Sequence, residues 1–348
     1  GWAQTRGMTT LAERLRDAVQ AQRFETLPDA LRGGAPLDAY PSLDLALCCF
    51  DGDRPQALNL LFSREHPQGL VGAIAPGHGA LGNIGFVADL QDGSGASAAW
   101  LPGADWQTLR FAPLAGRGTR FVAPYPASLL KLMIATGVAA WAPDIDAAWT
   151  HEGESRRLRE WLHAMLSLSC NRSTDALVAF GHAQGWLATE AHQPHALHRL
   201  FERLGLRTLR LADTTPRGGW RNADGAGVGH LQMTAWDSLR LLWWLDPEAP
   251  PCPWSAEPRL QGPGLKALWA ALQDQRLHGW LRHPGFAHKT GNTENYASDA
   301  GRLRLGDGRL LFVAMTSSLG ARYAQGDPSG FPLPLQQLGE ALLRLFDV

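Results

Sequence analysis

The chain of 348 residues is 45% hydrophobic and 19% charged, with a formal net charge of −1. That is ample length for a buried core in one large domain or two modest ones, and the near-zero charge excludes a global field that would draw nucleic acid or an anionic membrane. Apolar runs such as residues 43–50 are too short to span a bilayer, so neither a nucleic-acid partner nor a membrane span is expected.

Residues 9–32 carry a helical pattern closed by Pro28 and then Gly33 and Gly34. Residues 35–120 are richer in Gly and Pro, with candidate strands at 43–50, 84–90 and 106–114. From about residue 126 the period becomes helical, at 128–141, 157–168, 173–184, 195–205, 233–245 and 264–278. Strands follow at 285–291, 298–305 and 309–317, the last two joined by the hairpin signal Gly306-Asp307-Gly308, and a helix at 333–346 ends the chain. Strands, a block of helices, strands and a terminal helix make an α+β layout, an antiparallel sheet with helices on both faces and an all-helical subdomain.

Metal and cofactor chemistry find little support. Cys48 and Cys49 sit in an apolar run, Cys170 and Cys252 stand alone, and no CxxC or HExxH occurs. His192, His195 and His198 recur at three-residue spacing, but Pro194 interrupts them and no carboxylate or Cys completes a ligand set. No cofactor and no metal are expected.

Lysine usage is more informative. Lys+Arg totals 32, yet only Lys131, Lys266 and Lys289 are lysines. An ammonium can lose its proton when buried or crowded by a second cation, which a guanidinium cannot do. Two of these lysines lie in suggestive contexts. Ser128 and Lys131 form S-x-x-K at a helix start after Pro126, so hydroxyl and amine share one helix face. A helix-start serine and a solvated lysine would read the same way, although the flanks are apolar. Ser169 and Asn171 form S-x-N between two helical patterns, where helix capping is the competing reading. Lys289-Thr290-Gly291 lies on a strand, with Lys289 and Gly291 on one face and Thr290 on the other. Gly291 leaves the strand edge open to a substrate, while a solvated edge lysine that blocks aggregation is the alternative.

S-x-x-K, S-x-N and K-T-G in this order resemble the serine β-lactamase and DD-peptidase (penicillin-binding protein) superfamily. The similarity runs from about residue 84 to 348, and 234–245 and 271–291 also resemble family segments. The resemblance implies a serine hydrolase working through an acyl-enzyme on an amide or β-lactam bond near a carboxylate. It implies Ser128 as nucleophile, Lys131 as base and Ser169 as proton shuttle. Asn171 would bind the substrate amide, Lys289 and Thr290 its carboxylate, and the N–H groups of Ser128 and Asn292 would form the oxyanion hole. The partner implied is a small molecule or peptide with a carboxylate. An exported, periplasmic location with the leader removed is expected, and a cytoplasmic one stands beside it.

The chain departs from the class A pattern at the Ω-loop. Its counterpart is 210–220, where Thr215 precedes Pro216, no E-x-x-L-N occurs, and Asp213 is out of register by two. Without a base an acyl-enzyme persists, which moves weight toward a peptidase, an amidase or esterase, or an acylated sensor. Residues 1–83 are expected as an N-terminal extension, and 84–348 as the hydrolase domain with its helical part at about 128–280. Trp220, Trp236 and Trp280 suggest an aromatic-lined cleft, with core packing as the alternative.

Overall fold

The structure is a computed structural model that describes residues 10–89, 108–189, 194–221, 231–320 and 331–348. Eight α-helices are present among these residues: α1 (Leu11–Ala21), α2 (Lys131–Trp141), α3 (Leu158–Ser167), α4 (Asn171–Ala183), α5 (Ala196–Arg203), α6 (Ala235–Leu245), α7 (Pro263–Gln273) and α8 (Leu333–Leu345). The strands begin with the short pair β1 (Pro28–Asp29) and β2 (Ala35–Pro36). Then come β3 (Ser42–Asp51), β4 (Arg54–Phe62) and β5 (Leu70–Val71), followed by β6 (Ile84–Ala88), β7 (Ala112–Gly116) and β8 (Thr119–Ala123). The ribbons β9/β10 (Ala148–His151, Glu154–Arg157) and β11/β12 (Arg210–Leu211, Leu231–Gln232) lie among the helices. Near the C-terminus are β13 (Ala287–Asn292), β14 (Tyr296–Arg304) and β15 (Leu310–Ser318).

The main sheet is antiparallel, in the order β13-β14-β15-β3-β4-β5. Alternation along β3 explains its burial on both faces. Ala46, Cys48 and Phe50 join the core that packs on α2, α3, α4, α6 and α7, while Leu43, Leu45, Leu47 and Cys49 join the core under α1 and α8. Helices therefore cover both faces, as the layout implies. β13 is one of the two sheet edges, and it carries Lys289, Thr290 and Gly291.

The boundary expected near residue 83 does not coincide with a break in this sheet. β3 pairs with β15 and β4 with β3, so residues 42–62 lie in the sheet interior between β15 and β5. The long helix expected over 9–32 ends at Ala21, because Arg23 turns into the left-handed region at φ 52° and Asp29 is drawn into the β1/β2 ribbon. The strand expected over 106–114 is β7, displaced toward its C-terminal end; residues 106 and 107, like residue 90 of the strand expected over 84–90, lie outside the described residues.

One buried carboxylate ties the sheet to the helical layer. Asp44 on β3 accepts from Asn59 Nδ2 (2.8 Å) and from the backbone N–H of Ala235 (2.9 Å), at the start of α6. Burial pushes its pKa from 3.8 up to about 6 against those two hydrogen bonds. The folded state thus holds this proton more tightly than the unfolded chain, so the associated stability is present below pH 3.8 and lost as pH rises through about 6. Asp44→Asn is expected to remove this loss, on the order of 2–3 kcal/mol. Urea unfolding of both proteins at about pH 4 and pH 7 checks it; equal losses would refute the assignment.

Candidate active site

Helix α2 is apolar on every side, and Leu132, Met133, Ile134, Ala135 and Val138 are all buried. Its first residue is Lys131, preceded by a single 3-10 turn, Ala127–Leu130, that holds Ser128. The Lys131 side chain is 1% exposed, so a solvated helix-start lysine does not describe it. Its Nζ lies 2.8 Å from Ser128 Oγ, 3.1 Å from Ser169 Oγ, 3.0 Å from Ser169 O and 2.8 Å from Asn171 Oδ1. Four oxygen neighbours exceed the three hydrogens of an ammonium, and a neutral amine can accept the Ser128 hydroxyl proton through its lone pair.

Ser169 reaches this position because the chain turns sharply between α3 and α4. Ser169 adopts φ 55°, unusual for a residue with a side chain. Cys170 then caps α4, its Sγ accepting from the Ser173 N–H at 3.4 Å. Helix α4 opens at Asn171 rather than near 173, so Asn171 stands at the helix start facing Lys131.

Lys289 arrives from β13, is fully buried, and donates to Ser169 Oγ at 3.1 Å and to Thr290 O at 2.6 Å. An edge lysine solvated against aggregation is therefore not what the structure holds. Two amines share one hydroxyl. Burial lowers the pKa of Lys131 to about 8, opposed by Cys170 and Asp175. Burial, followed by the charge of Lys131, holds Lys289 well below its ordinary value, with Asp299 opposing. Both amines are thus pushed toward the neutral form, whereas the motif reading gave the neutral role to Lys131 alone.

Gly291 is required by the protein itself. A Cβ there would fall 2.5 Å from Leu129 N, 2.6 Å from Pro126 O and 2.7 Å from Ser298 Oγ. The open strand edge is pressed against the turn that carries Ser128. Ser298 on β14 fastens the same contact, its hydroxyl donating to Pro126 O at 2.5 Å and lying 3.1 Å from Gly291 O. Ala127, just before Ser128, is forced to φ 51°.

Thr290 is buried and shares its sheet face with its cross-strand partner Asp299, away from Lys289. Its hydroxyl has no hydrogen-bond partner among the described residues. The Thr293 N–H to Tyr296 O bond (2.9 Å) sets the ladder phase of this hairpin. In that phase Asn292 and Ala297 are a non-hydrogen-bonded pair, so the Asn292 N–H points to the open edge beside the Ser128 turn. The structure therefore gathers Ser128, Lys131, Ser169, Asn171 and Lys289 through side chains. Gly291 and the Asn292 N–H join through the backbone, and the Thr290 side chain stands apart.

Sequence reasoning did not find Ser298 or Gln275. The Gln275 amide donates to Leu166 O (3.0 Å) and His288 O (3.2 Å), joining the end of α3 to β13. Neither residue belongs to a motif. Trp236 and Trp280 are 1% exposed and pack in the two cores, while Trp220 is partly buried against the helical one. His195 and His198 stack at 3.9 Å and hydrogen-bond the two backbone groups of Leu211, fixing α5 to β11; His192 lies outside the described residues. Among the described residues no group of three or more potential metal ligands gathers, and no helix is long and apolar enough to cross a membrane.

No family model matches the sequence, and no curated protein does. Solved structures do. A β-lactamase from Burkholderia vietnamiensis is similar at 12% identity with a TM-score of 0.56, over 99% of this chain and 99% of that one. A β-lactamase from Desulfarculus baarsii DSM 2075 gives 13% and 0.55, over 98% and 100%. One from Chitinophaga pinensis DSM 2588 gives 13% and 0.52, over 96% and 98%. At such identities the likeness is one of fold, and it extends to both sides of residue 83. The chain has the β-lactamase fold, as the order of its three motifs led us to expect.

Proposed function

We propose that the chain is a serine hydrolase that forms an acyl-enzyme on Ser128 from an amide or β-lactam substrate carrying a carboxylate. The observation that carries this reading is the pair of buried amines, Lys131 and Lys289, each 3.1 Å from the single hydroxyl of Ser169, with Ser128 Oγ 2.8 Å from Lys131. Two cations cannot share so small a dry volume without one giving up its proton.

A substrate carboxylate beside Lys289 restores the charge of that amine. The restored cation, in turn, leaves Lys131 as the neutral partner. Lys131 Nζ then takes the Ser128 hydroxyl proton as Oγ attacks the carbonyl carbon. The N–H groups of Ser128 and Asn292 stabilise the oxyanion at the strand edge. Asn171 orients the substrate amide. The proton passes from Lys131 through the Ser169 hydroxyl to the leaving nitrogen, and the C–N bond breaks.

The test is a substrate panel of nitrocefin, a D-Ala-D-Ala peptide and a p-nitrophenyl ester, run on wild type and Ser128→Ala. Activity or covalent labelling with at least one substrate is expected in wild type and lost in the variant, by about 10³-fold or more. Absence of any Ser128-dependent activity or labelling would defeat the reading.

A further inference from the structure

We propose that Asp175 is the base that activates water to hydrolyse the Ser128 acyl-enzyme. This rests on the reading above and supplies the step for which the loop 210–221 offers no side chain. In that loop the Thr215 hydroxyl donates to its own backbone at Gly218 O (2.7 Å). Asp213, at φ 61°, lies 3.9 Å from the Arg221 guanidinium. Neither is placed as a free base.

Asp175 is placed differently. It sits on α4 one turn beyond Asn171, on the same helix face, and Asn171 Oδ1 is 2.8 Å from Lys131 Nζ. The carboxylate is half-buried and makes no hydrogen bond or ion pair with any described residue. The charged groups that bear on it are His151, Glu152 and Lys131.

The loop is shaped around this carboxylate. Gly218 and Gly219 adopt φ 88° and 73°, so the loop backbone crosses Asp175 without a side chain. A Cβ on Gly218 would fall 2.4 Å from Asp175 O, and one on Gly219 would stand 3.4 Å from Asp175 Oδ1. The loop backbone thus passes alongside a half-buried carboxylate that keeps part of its surface in solvent. Burial raises its pKa, which makes it a better proton acceptor than a solvated aspartate.

The chemistry balances without a further reagent. A water proton moves to the Asp175 carboxylate while the water oxygen bonds the acyl carbon. The C–Oγ bond to Ser128 then breaks with its electron pair on Oγ. The proton on Asp175 returns to Oγ through solvent water, and the product leaves as a carboxylic acid.

The test follows wild type, Asp175→Asn and Asp175→Glu by intact-mass spectrometry after mixing with a penicillin. Acylation of Asp175→Asn is expected within about three-fold of wild type, with an adduct that lasts about 100-fold longer. Asp175→Glu should recover part of the deacylation rate, which a purely structural role would not allow. Gly219→Ala, which sets a methyl against the carboxylate, should also prolong the adduct. An Asp175→Asn adduct on Ser128 that decays as fast as that of wild type would overturn the role of Asp175 and leave acylation intact. No adduct and no turnover in any protein, with a penicillin or with any substrate of the panel above, would overturn the serine hydrolase reading itself, and this proposal with it.

Discussion

Lys131→Arg is expected to lower the acylation rate of Ser128 by about 10³-fold, near the full contribution of a positioned general base. The substitution keeps the charge and most of the stem, so packing alone predicts a milder effect. What it removes is the neutral state, since a guanidinium does not deprotonate in a protein. The wild-type rate should accordingly rise with pH as the neutral fraction of Lys131 grows through about 8, and the Lys131→Arg variant should show no such rise. Lys266 provides the control, because it is exposed on α7. Lys266→Arg should leave the rate unchanged. Stopped-flow labelling with a chromogenic β-lactam from about pH 6 to 10 checks all three proteins. A Lys131→Arg variant that retains most of the rate would remove the need for a deprotonated amine.

Gly291→Ala is expected to cost about 1–3 kcal/mol of stability and to slow acylation by about 10²-fold. The added methyl would meet Leu129 N at 2.5 Å and Pro126 O at 2.6 Å, and both belong to the backbone of the Ser128 turn. Flexible side-chain ends could swing aside, but these atoms cannot. Either β13 or the turn must move by several tenths of an ångström, and the nucleophile moves relative to Lys289 and the Asn292 N–H. Gly306 has nothing within 4 Å of its Cβ position, so Gly306→Ala should change neither quantity. Thermal unfolding and the labelling rate measured together separate the two effects. Unaltered acylation in Gly291→Ala would mean that this contact does not position the site.

Much of this site is legible in sequence because its parts are local. Ser128 and Lys131 are one helical turn apart, Ser169 and Asn171 flank one residue, and Lys289 and Gly291 alternate on one strand, so short-range geometry fixes each pair. Lysine scarcity then marks two of the three motifs. Their convergence is not local. It depends on β13 being the sheet edge, and on Gly291 and Ser298 pressing that edge onto Pro126. Pattern reading took Gly291 as room for a substrate, because spacing does not show which backbone fills the space over a glycine.

The strands of the first half were harder to read. β4 alternates only in its first residues and then becomes buried on both faces, since helices cover the sheet on both sides. It offers little period-2 signal, and the sheet interior it shares with β3 reads from sequence as an extension. Asp175 carries no motif either. Its significance lies in a missing partner and in two glycines some forty positions further on, both visible only in three dimensions.

Because the chain has three lysines, its central claim can be measured with little ambiguity. Lys266→Arg protein labelled with ¹⁵N at lysine Nζ carries two amine signals, those of Lys131 and Lys289, and each can be followed by NMR across about pH 5 to 12. The account predicts two separate midpoints, both below the ordinary lysine value of about 10.4, with that of Lys131 near 8. Both amines titrating together near the ordinary value would contradict it.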